Sequence, residues 1–217
     1  MPNAVLRAAA VVCVLVAAAI VALLVFVRPG SPPSATRGPR SGVATPSFHS
    51  LPSAPIPPGG PEWVTIPAIG VQAAVRGVVS THEQGLWLIV PPEQTNTDLQ
   101  RVYWWSEHAA PADPSKGTAY IYGHACLSYA LCAFNHLGEL AKGDLVKVTT
   151  VRGALTYRVV AEPIRLAKTA AGIGSSSIYN YGVVNRLVLI TCDYAPDGSS
   201  PWNWVVTTQL TAATPAR

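Results

Sequence analysis

From Trp63 onward the chain is built of short apolar runs separated by turn residues. Trp63 to Pro67, Ala73 to Val79, Leu86 to Val90 and Thr118 to Tyr122 come first, followed by Leu145 to Thr149, Leu155 to Val160, Arg186 to Thr191 and Trp204 to Thr208. Each run has strand length and is rich in β-branched or aromatic residues, and the spacing suits an all-β sandwich or barrel. Closure is the way such a sheet removes its exposed edges, so the pattern predicts a mostly β fold, an eight-stranded closed barrel. In Leu145 to Thr149 the apolar residues Leu145 and Val148 fall out of phase, which allows burial on both faces. Helical periodicity is weak: Ala130 to Leu140 and Asp98 to Ser106 are each expected to give a short helical turn.

Two of these runs end in reactive side chains. Leu189-Ile190-Thr191-Cys192 closes one, and Gly123-His124 closes another well upstream. If both strands emerge at one rim of the sheet, a thiol and an imidazole meet there. A Cys beside a His supplies thiolate at neutral pH, and thiolate is a nucleophile of acyl transfer.

The N-terminal texture is different. Ala8 to Val27 is an unbroken apolar run between Arg7 and Arg28. As a helix it would reach about 30 Å, the thickness of a bilayer core. A cleaved signal peptide would carry a shorter apolar region followed by a small-x-small site, so residues 1–28 read as an uncleaved anchor. Residues 29–61 are rich in Pro, Ser and Gly, cannot bury enough surface to fold, and read as a semi-extended tether. Residues 62–211 are then the β-domain and 212–217 a C-terminal tail. The arginines flanking the span favour a cytoplasmic domain by the positive-inside rule, whereas cysteine usage favours an external one. The expectation adopted is a single-pass protein of the cell membrane with its domain outside.

Charge sharpens the functional class. Four of the 15 basic residues and none of the 11 acidic ones lie in residues 1–50, leaving 11 of each for the rest. The net charge of +4 therefore belongs to the anchor and tether, and the neutral β-domain has no basic, aromatic-laced patch for nucleic acid. No pair of acids can be nominated for glycoside hydrolysis, and no Gly-rich phosphate loop is present. The chemistry calls for no cofactor and no metal. Cys126 and Cys132 are candidates for a local disulfide, worth ~2–2.5 kcal/mol in the chain-entropy model. Free thiols are the second reading, and zinc held by His124, Cys126, Cys132 and His136 the third. His49, His82, His108 and His136 are expected at the surface, and Cys13 inert within the span.

Four segments together resemble the sortases, the membrane-anchored cysteine transpeptidases of Gram-positive bacteria, here most like the actinobacterial class E and F branches. Ile66-Pro67-Ala68-Ile69-Gly70-Val71 is similar to the family's opening strand. Gly117 to His124 resembles the strand that delivers the catalytic His, and Phe134 to Asp144 the turn F-x-x-L-x-x-L-x-x-G-D. Leu189 to Cys192 is similar to the nucleophile signature. The resemblance implies that Cys192 attacks a peptide carbonyl of a sorting signal, usually at a Thr–Gly bond, while His124 protonates the leaving amine. An amine acceptor, from a cell-wall precursor or a protein Lys, then resolves the thioester. Thr191 is implied as an assisting residue.

The family also implies an Arg on the strand after the Cys, and here the sequence departs from it. No Arg lies between Cys192 and Thr211; the stretch reads Ser200-Pro201-Trp202-Asn203-Trp204-Val205. A guanidinium offers a permanent charge and a planar fork of donors, which neither indole nor carboxamide reproduces. Asn203 is the candidate neutral donor, and Arg101, Arg165 and Arg186 are candidates to bring the charge from elsewhere. The alternative reading is a catalytically impaired sortase-like module that binds a peptide or partner without turnover.

Overall fold

Eight strands hydrogen-bond in a closed ring, in the order β10-β6-β5-β2-β1-β7-β8-β11, with β11 pairing back to β10. The computed structural model describes residues 56–83, 86–88, 95–127, 132–169 and 176–216. The expected span Ala8 to Val27 and the tether as far as residue 55 lie outside them. Among the described residues no helix is long and apolar enough to cross a membrane.

The barrel strands are β1 (Pro61–Ile66), β2 (Val71–Val78), β5 (Val102–Trp105), β6 (Ala119–Gly123), β7 (Leu145–Thr150), β8 (Gly153–Val159), β10 (Arg186–Asp193) and β11 (Trp202–Pro215). A further strand, β9 (Ile164–Ala167), adds to the outside of β11. The strands β3 (Thr81–Glu83) and β4 (Leu86–Leu88) pair only with each other. The described part of the run at Leu86 therefore supplies no barrel strand. Its expected place in the ring is taken by β5, inside the window expected to be a helical turn. The only helix near that window, α1 (Asn96–Gln100), is closed at its start by a capping box between Thr95 and Asp98. It ends where Val102-Tyr103-Trp104-Trp105 begins, four residues that prefer a pleated, buried surface. Around Ala130 to Leu140 the described residues hold a 3₁₀ turn, Leu137–Glu139.

The barrel interior is filled by alternate residues of its strands and closed by Phe134, Leu137 and Leu140 from the turn after β6. On β7 the buried positions are Val146, Val148 and Thr150, with Lys147 and Thr149 exposed, so that strand is buried on one face only. β10 is buried on both. Leu187 and Leu189 face the interior, while Val188 and Ile190 join Trp105, Tyr120 and Ile178 in a second cluster outside the barrel wall. Burial on both faces is why this run shows no alternation.

The domain limits differ from the composition. Ile56, within the tether assignment, is 5% exposed in the core. Residues 212–215 are not a tail, because Ala212 to Pro215 pair with Thr156 to Gly153 of β8. Proline content marks where a chain bends, but one well-placed apolar side chain or a free strand edge still captures it.

His108 is half-buried rather than at the surface. Its ring stacks on Tyr181 at 4.3 Å between centroids and meets Trp105 edge-on at 3.9 Å. Burial holds its imidazole below the ordinary range, against the pull of the neighbouring Glu107 carboxylate. Because the folded value is the depressed one, the unfolded chain takes up this proton first as pH falls. His108 thus favours the fold fully above the unfolded value, and that contribution is lost as pH drops through the folded one. Urea unfolding at pH 7 and pH 5 is expected to show a larger loss for wild type than for His108→Phe.

Candidate functional site

The parallel pairing of β6 with β10 sets the site. Leu187 to Ile190 stand opposite Ala119 to Tyr122 in unbroken register. One step on, the buried Thr191 hydroxyl donates to the Gly123 carbonyl at 2.9 Å. His124 and Cys192 are the next residue on each chain. They leave the same end of neighbouring strands, and by the two-residue period of a strand they continue the outward-facing series Tyr120, Tyr122 and Val188, Ile190. Thr191 joins the two strand ends, with its proton committed to Gly123.

The backbone around His124 is held by the turn that follows. Phe134 N–H donates to the His124 carbonyl at 3.1 Å. A methyl group on Gly123 would sit 2.5 Å from the Phe134 ring, so only glycine lets that ring close over the strand end. Tyr103, opposite Tyr122 on β5, presents its ring edge-on to His124 with centroids 6.1 Å apart. Beyond His124, Cys126 and Cys132 form a disulfide with Cα atoms 5.6 Å apart. This removes two of the four ligands of the zinc reading, and no cluster among the described residues has metal-ligand geometry. Asn135 Oδ1 accepts from Cys126 N–H at 2.6 Å, tying the disulfide to the turn. His136 pairs instead with Glu139 at 2.7 Å. The side chains of His49 and His82 lie outside the described residues.

Cys192 opens into a cavity of about 410 Å³. One wall is Ala125 to Leu127, with the disulfide; the other is Asp193 to Pro196, and Gly138 and Trp204 form part of the lining. Cys192 is half-buried and is the free cysteine among the described residues.

The three candidate arginines fall in different places. Arg186 opens β10, six residues from Cys192, or about 20 Å along an extended strand. It is buried and bound to Thr118 Oγ1 and to the carbonyls of Ser177, Ile178 and Asn180. Arg101 lies beside Asp98 and Tyr103, at the end of α1. Arg165, on β9, reaches the residue that follows the thiol and is engaged there: its Nε and one terminal nitrogen both reach Asp193 Oδ2 at 2.5 Å. Its guanidinium also lies over the rings of Trp202 and Trp204, at 5.5 and 5.8 Å. Asn203 stands directly opposite Cys192 in the β10–β11 ladder.

A cation that sequence reasoning did not consider reaches the sulfur. Lys168, just past β9, places Nζ 3.1 Å from Cys192 Sγ and 2.7 Å from Ser200 Oγ. Its own N–H is fixed to the Pro201 carbonyl at 2.9 Å. The signal in the sequence was faint. Ile164-Arg165-Leu166-Ala167 is a four-residue strand after a proline, too short to stand out. A thiol with an ammonium on its sulfur and an open cavity beside it, and an imidazole at the end of the neighbouring strand, form a set suited to acyl transfer through sulfur.

A family model described as Sortase domain matches residues 64–211. Among solved structures, sortase A of Listeria monocytogenes is similar with a TM-score of 0.52 at 19% identity, covering 71% of this chain and 89% of that one. A point mutant of sortase E from Streptomyces avermitilis gives 0.48 at 20% identity, covering 72% and 91%. At such identities the likeness to the first speaks to the fold alone. A search of curated protein sequences finds no match.

Proposed function

From the premise that this chain belongs to the sortase family, whose members are cysteine transpeptidases, we propose that Cys192 is its nucleophile and His124 its general acid and base. The observation that carries this reading is the register of β6 against β10, which ends both strands at one rim, with Thr191 bound to Gly123 between them.

The Cys192 thiolate adds to the carbonyl carbon of a sorting signal, and the carbonyl π electrons move to oxygen. The tetrahedral species collapses, the C–N bond breaks, and the leaving amine takes a proton from His124. A thioester remains. An incoming amine, from a cell-wall precursor or a protein Lys, gives a proton to His124 and displaces the sulfur. The cavity beside Cys192 suits an extended peptide or acceptor, since it opens at the sulfur between two loops. Within the family we assign the chain to the actinobacterial class E and F branches on its sequence motifs. We further propose that Ala8 to Val27 anchors it in the cell membrane, with the barrel outside; the Cys126–Cys132 disulfide agrees with an oxidising exterior.

The second reading, a module that binds peptide without turnover, is favoured by the missing arginine after Cys192. One experiment separates the two. The full chain in detergent micelles, carrying Cys13→Ser, is treated with a thiol-reactive analogue of a peptide containing a Thr–Gly bond. Intact mass is expected to show one adduct, absent from the further variant Cys192→Ala. Binding of the peptide with neither adduct nor transpeptidation would establish the module instead.

A further inference from the structure

We infer that Lys168 is a catalytic residue: its ammonium, delivered from the strand outside β11, supplies the positive charge that the family's arginine would bring from β11 itself. This rests on the proposed transpeptidase reading and goes beyond it by naming the charge-bearing group.

Three observations carry the inference. Lys168 Nζ lies 3.1 Å from the Cys192 sulfur, within the reach of an N–H···S hydrogen bond. The side chain is held there from both ends, because Ser200 Oγ is 2.7 Å from Nζ and the Pro201 carbonyl accepts from the Lys168 N–H. The guanidinium at the residue after Cys192 is committed elsewhere, with Arg165 paired to Asp193 and laid over Trp202 and Trp204.

The chemistry needs no proton from Lys168. In the free enzyme the ammonium stabilises the thiolate. When sulfur adds to the carbonyl carbon, the negative charge passes from sulfur to the carbonyl oxygen, two bonds away. A cation already in contact with the sulfur remains next to that charge. When the tetrahedral species collapses, the electron pair returns to the carbonyl, the C–N bond breaks, and the amine leaves with the proton of His124. Lys168 keeps all three of its protons throughout and acts as a fixed charge, as oxyanion donors do. A lysine differs from an arginine in being a compact point charge without a planar fork, so its geometry depends on the second anchor that Ser200 provides.

The test uses the full chain with Cys13→Ser in detergent, comparing wild type with Lys168→Ala, Lys168→Arg and the control Lys147→Ala on the outer face of β7. Two readouts are taken: turnover of a peptide containing a Thr–Gly bond, and the rate of Cys192 alkylation by iodoacetamide at pH 7. Lys168→Ala is expected to lower kcat about 10²-fold with KM little changed, the loss typical of one oxyanion donor. It should also slow alkylation about tenfold through loss of thiolate. Lys168→Arg should recover most of both, and Lys147→Ala should change neither. Wild-type kcat in Lys168→Ala would overturn the inference. If the wild type turns over no such peptide, the transpeptidase reading fails separately, and alkylation alone decides: equal rates in wild type and Lys168→Ala would overturn the role of Lys168, and a slower variant would support it.

Discussion

Replacing His124 by alanine is expected to lower transpeptidation about 10²–10⁴-fold, the range that a positioned acid–base group contributes. Both half-reactions should suffer. The leaving amine needs a proton when the C–N bond breaks, and the incoming amine must lose one. Peptide affinity should change little, because the imidazole acts on the reacting nitrogen rather than on the rest of the substrate. Steady-state kinetics would therefore show a fall in kcat with KM preserved, and urea unfolding would show an unchanged midpoint, since the side chain is only half-buried. The backbone that carries it keeps its own ties, with the His124 carbonyl bound by Phe134 N–H and the Gly123 carbonyl bound by Thr191. Unchanged turnover in His124→Ala would remove the acid–base assignment, and with it the case for the pair at this rim.

Arg186→Met is expected to produce the largest loss of stability, about 3–5 kcal/mol, because three carbonyls and a hydroxyl lose a charged donor at once. Arg186 is 9% exposed, and its guanidinium reaches Thr118 Oγ1 at 3.0 Å, Ser177 O at 3.3 Å, Ile178 O at 2.8 Å and Asn180 O at 2.5 Å. These bonds pin residues 177–180 over the outer faces of β6 and β10. The same segment receives the Tyr120 hydroxyl, which donates to Ile178 O at 2.7 Å and whose ionisation burial pushes up to about 12. Methionine fills the volume, but each carbonyl loses its charged donor and keeps one neutral partner: Asn180 N–H on Ser177 O, the Tyr120 hydroxyl on Ile178 O and the Thr118 hydroxyl on Asn180 O. A hydrogen bond to a charged group is worth ~1.5–3 kcal/mol. A lowered urea midpoint, with kcat retained in the folded protein, is the expected outcome. Lost kcat without lost stability would instead return Arg186 to the chemistry.

Those two residues show how far reading the chain reaches. The placement of Cys192 and His124 at neighbouring strand ends was legible because each ends an apolar run, and such a group is conspicuous in one dimension. Arg186 also begins a run, and the sequence offered it as a candidate substitute for the missing arginine. Its distance from the thiol follows only from β10 being extended, with Arg186 at one end and Cys192 at the other.

The barrel itself was legible in its β-rich runs but not in its membership. Leu86-Trp87-Leu88 has the composition of a core strand, yet it pairs only with β3. Val102 to Trp105 has the same composition and is in the ring, between β2 and β6. Nothing local distinguishes them, because composition reports that a segment suits a sheet, and hydrogen-bond partners decide which sheet. The same limit hid β9, whose four residues gain their strand geometry from the edge of β11.

By itself the sequence determined the β-rich class, the neutral charge of the domain and the two reactive strand ends, all of which are properties of residue type and order. Tertiary structure alone decided which cation meets the sulfur. Lys168 lies 24 residues before Cys192 and reaches it only because β9 docks beside β11 and β11 beside β10. Adjacency across three strands is set by pairing and register, and neither is written in the spacing of residues along one chain.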